Sequence, residues 1–69
     1  MKEELHPATE ALLRHFTYTH LPPKLQPISR PFCELAISIA WNDDLDGPEL
    51  TMALRKLLEA KDCAVRAAL

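Results

Sequence analysis

Residues 46–67, DGPELTMALRKLLEAKDCAVRA, carry the strongest structural signal in this chain. Asp46 can cap the first free amides of a helix, Pro48 suits the first turn, and Glu49 can reach back as the partner of a capping box. Neither proline nor glycine interrupts the residues after Pro48, and most of these residues favour helix. The sequence therefore predicts a long helix over residues 47–67, with a length of roughly 30 Å.

The apolar residues of this predicted helix recur at steps of three and four, which places them on one face. That face contains Leu50, Ala53, Leu54, Leu57, Ala60, Ala64 and Ala68, with Leu58 and Val65 at its margins. The opposite stripe is charged and contains Arg55, Glu59, Asp62 and Arg66. An amphipathic helix of this kind needs an apolar partner surface.

A second helical pattern precedes this one and covers about residues 29–42. Its apolar positions are Phe32, Leu35, Ala36, Ile39 and Ala40, and the face is widened by Ile37 and Trp41. Pro27 and Pro31 lack an amide hydrogen, so any helix that includes them is expected to be irregular or to start late. With a turn over residues 42–45, the sequence predicts a two-helix antiparallel hairpin.

Residues 1–22 are expected to form an N-terminal arm or a short helix. Pro7 suits a first helical position, and residues 8–15 can follow it as a helix. Residues 17–19, Thr-Tyr-Thr, are β-branched and aromatic, and the prolines after them favour extended backbone. We interpret residues 1–69 as a single all-α domain.

The length of the chain favours self-association. With 69 residues, of which 48% are hydrophobic and only 6% aromatic, one copy can bury only a limited core. Small domains are usually reinforced by disulfides, a metal or oligomerisation. Cys33 and Cys63 stand alone, and the three histidines lack the paired spacing of a zinc site. We therefore expect a homo-oligomer.

Composition and motifs argue against several classes of function. The net charge of −2 argues against general affinity for DNA, which depends on summed positive charge. We expect no signal peptide, no apolar run is long enough to span a membrane, and two unpaired thiols fit a reducing cytoplasm. Catalytic arrangements and a glycine-rich phosphate loop are also missing, so we expect neither an enzyme nor a cofactor.

Some of the remaining polar residues suit a nucleotide ligand. Tyr18 can stack on a base, Arg30 can bind a phosphate through two parallel hydrogen bonds, and His20 could also stack. Each has an alternative interpretation: Tyr18 as an interface residue, Arg30 as a solvated charge, and His20 as an ordinary loop residue. Arg66 stands four residues after Asp62, so an ordinary ion pair between them is one interpretation of Arg66.

The order of several motifs resembles a known family. These motifs are Phe16-Thr17-Tyr18, Pro22-Pro23-Lys24, Glu34-Leu35-Ala36, the Asp46-Gly47-Pro48-Glu49 turn and the run from Ala53 to Ala60. Together they resemble the short helical-hairpin proteins of bacteriophages, over residues 14–68. That family includes the anti-CBASS cyclic-oligonucleotide sponges, and the same hairpin forms a domain of the anti-Thoeris sponges.

The resemblance implies a hexamer that sequesters cyclic di- or trinucleotides, or cyclic ADP-ribose-type signals, in the host bacterial cytoplasm without cleaving them. It implies that Tyr18 and a basic residue hold a cyclic dinucleotide between two subunits. Arg30 matches the basic position most nearly, about one residue off register, and Lys24 is second. Arg66 matches a basic position of a second pocket, for a cyclic trinucleotide. Phe16 and His20 complete the predicted ligand-binding set.

A protein–protein interaction module is the alternative function. Such an adaptor would present its apolar helix face to another protein and would bind no nucleotide. The two functions differ in one observable property, since a sponge should be a closed assembly that carries nucleotide.

Overall fold

The computed structural model describes residues 1–69 and contains three α-helices and no strand. Helix α1 spans Pro7–Leu13, α2 spans Gln26–Ala40 and α3 spans Gly47–Ala67; a 3-10 turn, Arg14–Phe16, extends α1. The predicted all-α class is therefore confirmed. None of the three helices combines the length and the hydropathy that crossing a bilayer would need.

Helix α2 starts earlier and ends earlier than the predicted range of 29–42, so this prediction was wrong at both ends. The early start is possible because Pro27 lies in the first turn, where its missing amide is tolerated. Pro31 lies inside the helix, where the Pro27 carbonyl loses its helical donor. Both prolines are exposed, so water can satisfy that carbonyl. The helix stops before Asn42, whose Oδ1 accepts a hydrogen bond of 2.8 Å from the Asp44 amide.

Helix α3 occupies the predicted residues, but its first turn is not capped as expected. Asp46 stands at the N-cap position without a side-chain capping hydrogen bond, and Glu49 makes no reciprocal bond to it. Instead the chain enters the helix through Gly47, whose φ is +74°. A side chain at Gly47 would meet nothing within 4 Å, so only the left-handed backbone conformation requires glycine there.

The core lies where all three helices meet. It consists of Phe16, Ala36, Ala40, Leu50 and Leu54. Leu5, Leu12 and Leu13 pack against it, so the N-terminal segment supplies a third layer over α2 and α3. On α3 only Leu50 and Leu54 are buried, whereas Ala53, Ala60 and Ala68 of the predicted apolar face are exposed. One copy of the chain therefore encloses a small core and leaves part of its apolar surface uncovered.

Lys2 fastens the N-terminal segment to the connection between α2 and α3. Its Nζ donates to the carbonyls of Ala40, at 2.8 Å, and Leu45. Its backbone amide donates to Asp43 Oδ1 at 2.8 Å. The ammonium group thus satisfies a free carbonyl at the negative end of α2, which a positive charge stabilises.

Ser29 gives the first testable prediction. Its side chain is fully buried in α2, and its Oγ has no hydrogen-bond partner. A buried hydroxyl without a partner destabilises the folded state, so Ser29→Ala should raise the free energy of unfolding by about 1 kcal/mol. Urea unfolding measures this change. The matched control is Ser38→Ala on the exposed side of the same helix, with an expected change of about 0.5 kcal/mol or less. Destabilisation by Ser29→Ala would contradict the prediction.

Candidate functional site

An open concavity of about 460 Å³ lies between the link that precedes α2 and the first turns of α2. Its lining consists of Tyr18, Pro23, Gln26, Pro27, Arg30 and Pro31. We refer to it as the Tyr18–Arg30 concavity. Its volume falls within the range of about 300–1,000 Å³ that is usual for small-molecule sites. The structure thus brings together the two residues predicted to contact a cyclic dinucleotide.

Helical spacing explains why these residues share one side. Gln26 and Arg30 stand four residues apart, as do Pro27 and Pro31, so each pair lies on neighbouring turns of α2. The proline rings are rigid and apolar, which makes that side of the concavity stiff without a long side chain. Tyr18 comes from the preceding link, where Thr17 has extended backbone with φ −62° and ψ 142°.

Hydrogen bonds hold the link in place. The Leu21 amide donates to the Tyr18 carbonyl at 3.0 Å, which closes a turn. The side chain of Gln26 then donates to the Leu21 carbonyl at 2.9 Å and to the Thr19 carbonyl at 3.3 Å. One side-chain amide therefore connects the Tyr18 turn to α2.

Arg30 is the only charged residue in the lining of this concavity. Its Nε lies 3.7 Å from Glu34 Oε1, and the two side chains are 61% and 63% exposed. Exposed ion pairs contribute only about 0–1 kcal/mol, so an anionic ligand can compete with Glu34 for the guanidinium group. The site therefore offers an aromatic ring and an accessible cation side by side.

A second concavity, of about 260 Å³, lies between the link and the last turns of α3. Its polar lining brings His20 and Arg66 together with residues that the sequence did not indicate as ligands, namely His15, Thr17, Lys61 and Asp62. We call it the His20–Arg66 concavity. Lys61 stands four residues before Val65, as Asp62 does before Arg66, so each pair lies on neighbouring turns of α3, and this spacing could have indicated Lys61. No comparable sequence signal indicates His15.

The alternative interpretation of Arg66, an ion pair with Asp62, was wrong. Lys61 Nζ lies 2.9 Å from Asp62 Oδ1, so the carboxylate is paired with its neighbour in the sequence. The Arg66 guanidinium donates instead to the Cys63 sulfur at 3.3 Å. Arg66 and Asp62 thus each contact another residue of α3 and not each other. The lining of the concavity contains several basic residues and one acid.

Two residues of the predicted ligand set lie outside both concavities. Phe16 is fully buried in the core, so it cannot contact a ligand directly, and its inclusion in the set was wrong. Its ring packs among the core residues of α2 and α3 instead. Lys24 is exposed on the turn before α2 and borders neither concavity. Tyr18 and His20 also separate, because each faces a different concavity.

Comparison with protein-family models, with curated proteins and with solved structures found no match. The chemistry of the site therefore follows from its own residues.

No group of three or more His, Cys, Asp and Glu side chains is placed to hold a metal ion. Burial raises the pKa of the Cys33 thiol above its ordinary value, and the neighbouring Glu34 charge raises that pKa further. Stacking, phosphate pairing and amide hydrogen bonding are the interactions that the two concavities offer.

Proposed function

We propose that this chain is a non-catalytic bacteriophage sponge that sequesters cyclic di- or trinucleotide signals, or related cyclic ADP-ribose-type signals. In the host bacterial cytoplasm it would deprive an anti-phage defence of its messenger. The observation that supports this proposal most directly is that Tyr18 and Arg30 line one concavity. An aromatic ring beside a guanidinium group complements a base beside a phosphate.

Each half of a cyclic dinucleotide contains these two features. A base stacked on Tyr18 contributes about 1–3 kcal/mol, and the Arg30 fork can bind a phosphate through two parallel hydrogen bonds. The rigid prolines add apolar contact at little cost in side-chain entropy. One concavity therefore binds one half of the ligand, and the other half requires a second copy of the chain.

A two-fold axis beside the concavity would provide the second half of the site. In a symmetric dimer the same patch of each subunit faces the axis, so one Tyr18 and one Arg30 per chain become two of each. In this proposal α2 and α3 form an antiparallel hairpin, and hairpins assemble as a hexamer. The His20–Arg66 concavity would lie near a three-fold axis and bind a cyclic trinucleotide.

A partly exposed apolar face supports the assembly, although Phe32, Ile39 and Leu57 on it also pack against the core. Helical rotation of about 100° per residue puts four apolar residues along one edge of each long helix. They are Ile28, Phe32, Leu35 and Ile39 on α2, and Ala53, Leu57, Ala60 and Ala64 on α3. We call these eight residues the apolar edge. In an antiparallel hairpin the two rows lie on one side, away from α1, which borders the opposite edge of α3 at Thr51.

The surface area agrees with an incomplete unit. The chain exposes 4884 Å², whereas a folded monomer of 7.8 kDa is expected to expose roughly 4,400 Å². Leu35, for example, is 49% exposed. Covering the apolar edge with other copies would remove apolar area from water at roughly 25 cal/mol per Å².

Calorimetry tests the proposal. The purified protein is titrated with cyclic di-AMP, cyclic di-GMP, cyclic tri-AMP and isomers of cyclic ADP-ribose, and we expect at least one to bind. For a dinucleotide, Tyr18→Ala and Arg30→Met should each weaken binding about tenfold to a hundredfold, because each removes one main contact. Lys24→Met is the matched control, since it removes a nearby charge outside the concavity. Its affinity should stay within about twofold of the unmodified protein.

Other results would contradict the proposal. The absence of heat with every ligand would remove it, and recovery of linear nucleotide from the complex would show an enzyme instead. Equal losses for Lys24→Met and Arg30→Met would indicate general electrostatic attraction and not a site at Arg30.

A protein-interaction module remains the alternative, and a separate surface favours it. Ile37 on α2 and Trp41, the residue that follows this helix, are 47% and 43% exposed and lie outside the apolar edge. Single exposed apolar residues are common, but two one turn apart form a possible contact for another helix. An adaptor should purify without excess absorbance at 260 nm, whereas a loaded sponge should release intact nucleotide on heating.

A further inference from the structure

We propose that Gln26 has two roles in the Tyr18–Arg30 concavity: its amino group positions the Tyr18 link, and its Oε1 selects the edge of a bound base that carries an amino or imino donor. The second role rests on the proposed function, whereas the first does not. Gln26 is the only glutamine of the chain. It lines the concavity together with Tyr18 and Arg30.

The positioning role follows from the two bonds that the amide nitrogen makes. Nε2 donates to the carbonyls of Leu21 and Thr19 at 2.9 and 3.3 Å. Because both contacts are carbonyl oxygens, the nitrogen must face them, and the orientation of the amide is determined. The residues from Tyr18 to Leu21 have only one hydrogen bond of their own, from the Leu21 amide to the Tyr18 carbonyl at 3.0 Å. Gln26 therefore joins this link to α2.

The selecting role follows from the other atom of the same amide. With both hydrogens engaged, Oε1 remains without a donor from the protein. Gln26 borders the concavity, so a bound molecule can supply that donor. Arg30 only donates, and the Tyr18 hydroxyl can donate or accept, whereas Oε1 only accepts. The site thus pairs a donor for phosphate with an acceptor for a base edge.

Complementarity then defines which edge of the base faces Gln26. A base stacked on Tyr18 would direct its edge towards the side of the concavity that Gln26 lines. An amino or imino group on that edge would bond to Oε1, whereas a base without one would leave the oxygen unpaired and partly covered. A net hydrogen bond of about 1 kcal/mol predicts roughly a fivefold preference at one base, and up to about 25-fold when two copies contact two bases.

Two ligands and two variants test the selecting role. The ligands are the tightest-binding cyclic dinucleotide from the calorimetric panel and the matching analogue whose bases carry no amino or imino hydrogen; cyclic di-AMP pairs with the analogue that contains unsubstituted purine. We expect the unmodified protein to prefer the donor-bearing ligand at least fivefold, and Gln26→Met to bind both within about twofold. Gln26→Lys keeps a donor for the Leu21 and Thr19 carbonyls but carries no acceptor, so it should lose the preference although the link stays in place. Equal affinity of the unmodified protein for both ligands would overturn this role.

Hydrogen exchange tests the positioning role without a ligand. In Gln26→Met the Leu21 amide should exchange at least tenfold faster, because the turn loses its connection to α2. The amides of α3, which lie outside the link, serve as the internal reference. Unchanged exchange at Leu21 would overturn the positioning role. If no cyclic nucleotide binds the unmodified protein, the proposed function and the selecting role fall together, and the exchange result still decides the positioning role.

Discussion

Replacing Phe16 by alanine is expected to remove a large part of the stability of the protein. The ring is fully buried, and the 3-10 turn that carries it contacts all three helices. Deleting a buried phenylalanine ring usually costs about 3–5 kcal/mol, from lost transfer free energy and from the cavity left behind. A chain of 69 residues is expected to have a total stability of only roughly 3–10 kcal/mol. The helical signal in circular dichroism and the midpoint of urea unfolding measure the effect.

Neighbouring residues provide the comparison for Phe16. His15→Ala, on the same turn but exposed, should change the free energy of unfolding by about 0.5 kcal/mol or less. Phe16→Leu keeps most of the apolar volume and should fall between the two. If Phe16→Ala behaves like His15→Ala, Phe16 does not anchor the core. In that case the N-terminal segment would not close over α2 and α3.

A negative charge on the apolar edge is expected to break the assembly. Leu35→Glu and Ala60→Glu change two exposed positions, one on each long helix, so the fold of a single copy should tolerate them. In an assembled protein both charges would lose water without a partner, which costs several kcal/mol. A loss of about 3 kcal/mol raises the dissociation constant more than a hundredfold. Sedimentation equilibrium at micromolar concentration should then show a single copy.

A negative charge placed outside the apolar edge shows whether the loss of assembly is specific to that edge or reflects general charge repulsion. Met52→Glu adds the same charge at a position that is 47% exposed and outside the apolar edge, so its assembly mass should stay unchanged. Circular dichroism of each variant confirms that the helices persist. A monomeric unmodified protein at the same concentration would reject the assembly and the shared site together. If the Met52→Glu assembly dissociates as readily as the Leu35→Glu assembly, the interface does not lie at the apolar edge.

Sequence and structure agree best where local chemistry dominates. Periodic apolar residues and a clear starting signal predicted α3 over 47–67, because such signals act between residues within a few positions of one another. The same rules misplaced α2. They treat proline as a helix breaker, but Pro27 lies in the first turn, and exposed Pro31 leaves the carbonyl that loses its donor accessible to water. The expected Asp46 cap failed because the backbone enters α3 through the left-handed conformation of Gly47.

The candidate site was only half predictable for a similar reason. The resemblance to the phage hairpin proteins and residue chemistry together indicated Tyr18 and Arg30, since an aromatic ring and a guanidinium group suit a nucleotide. Burial could not be read from the sequence, so Phe16 entered the ligand set although it lies in the core. The amide contacts of Gln26 with the Thr19–Leu21 turn join residues in different local structures. The spacing of apolar residues in the sequence does not predict such a contact.

The amino-acid order alone therefore determined the all-helical class, the extent of α3 and the residue types suited to a nucleotide, because these depend on short-range preferences and on side-chain chemistry. Tertiary structure decided the rest. Packing placed α1 and Phe16 over α2 and α3, put Tyr18 and Arg30 around one concavity, and moved His20 and Arg66 to another. These outcomes depend on contacts between distant residues, whose free energies appear only when the helices come together.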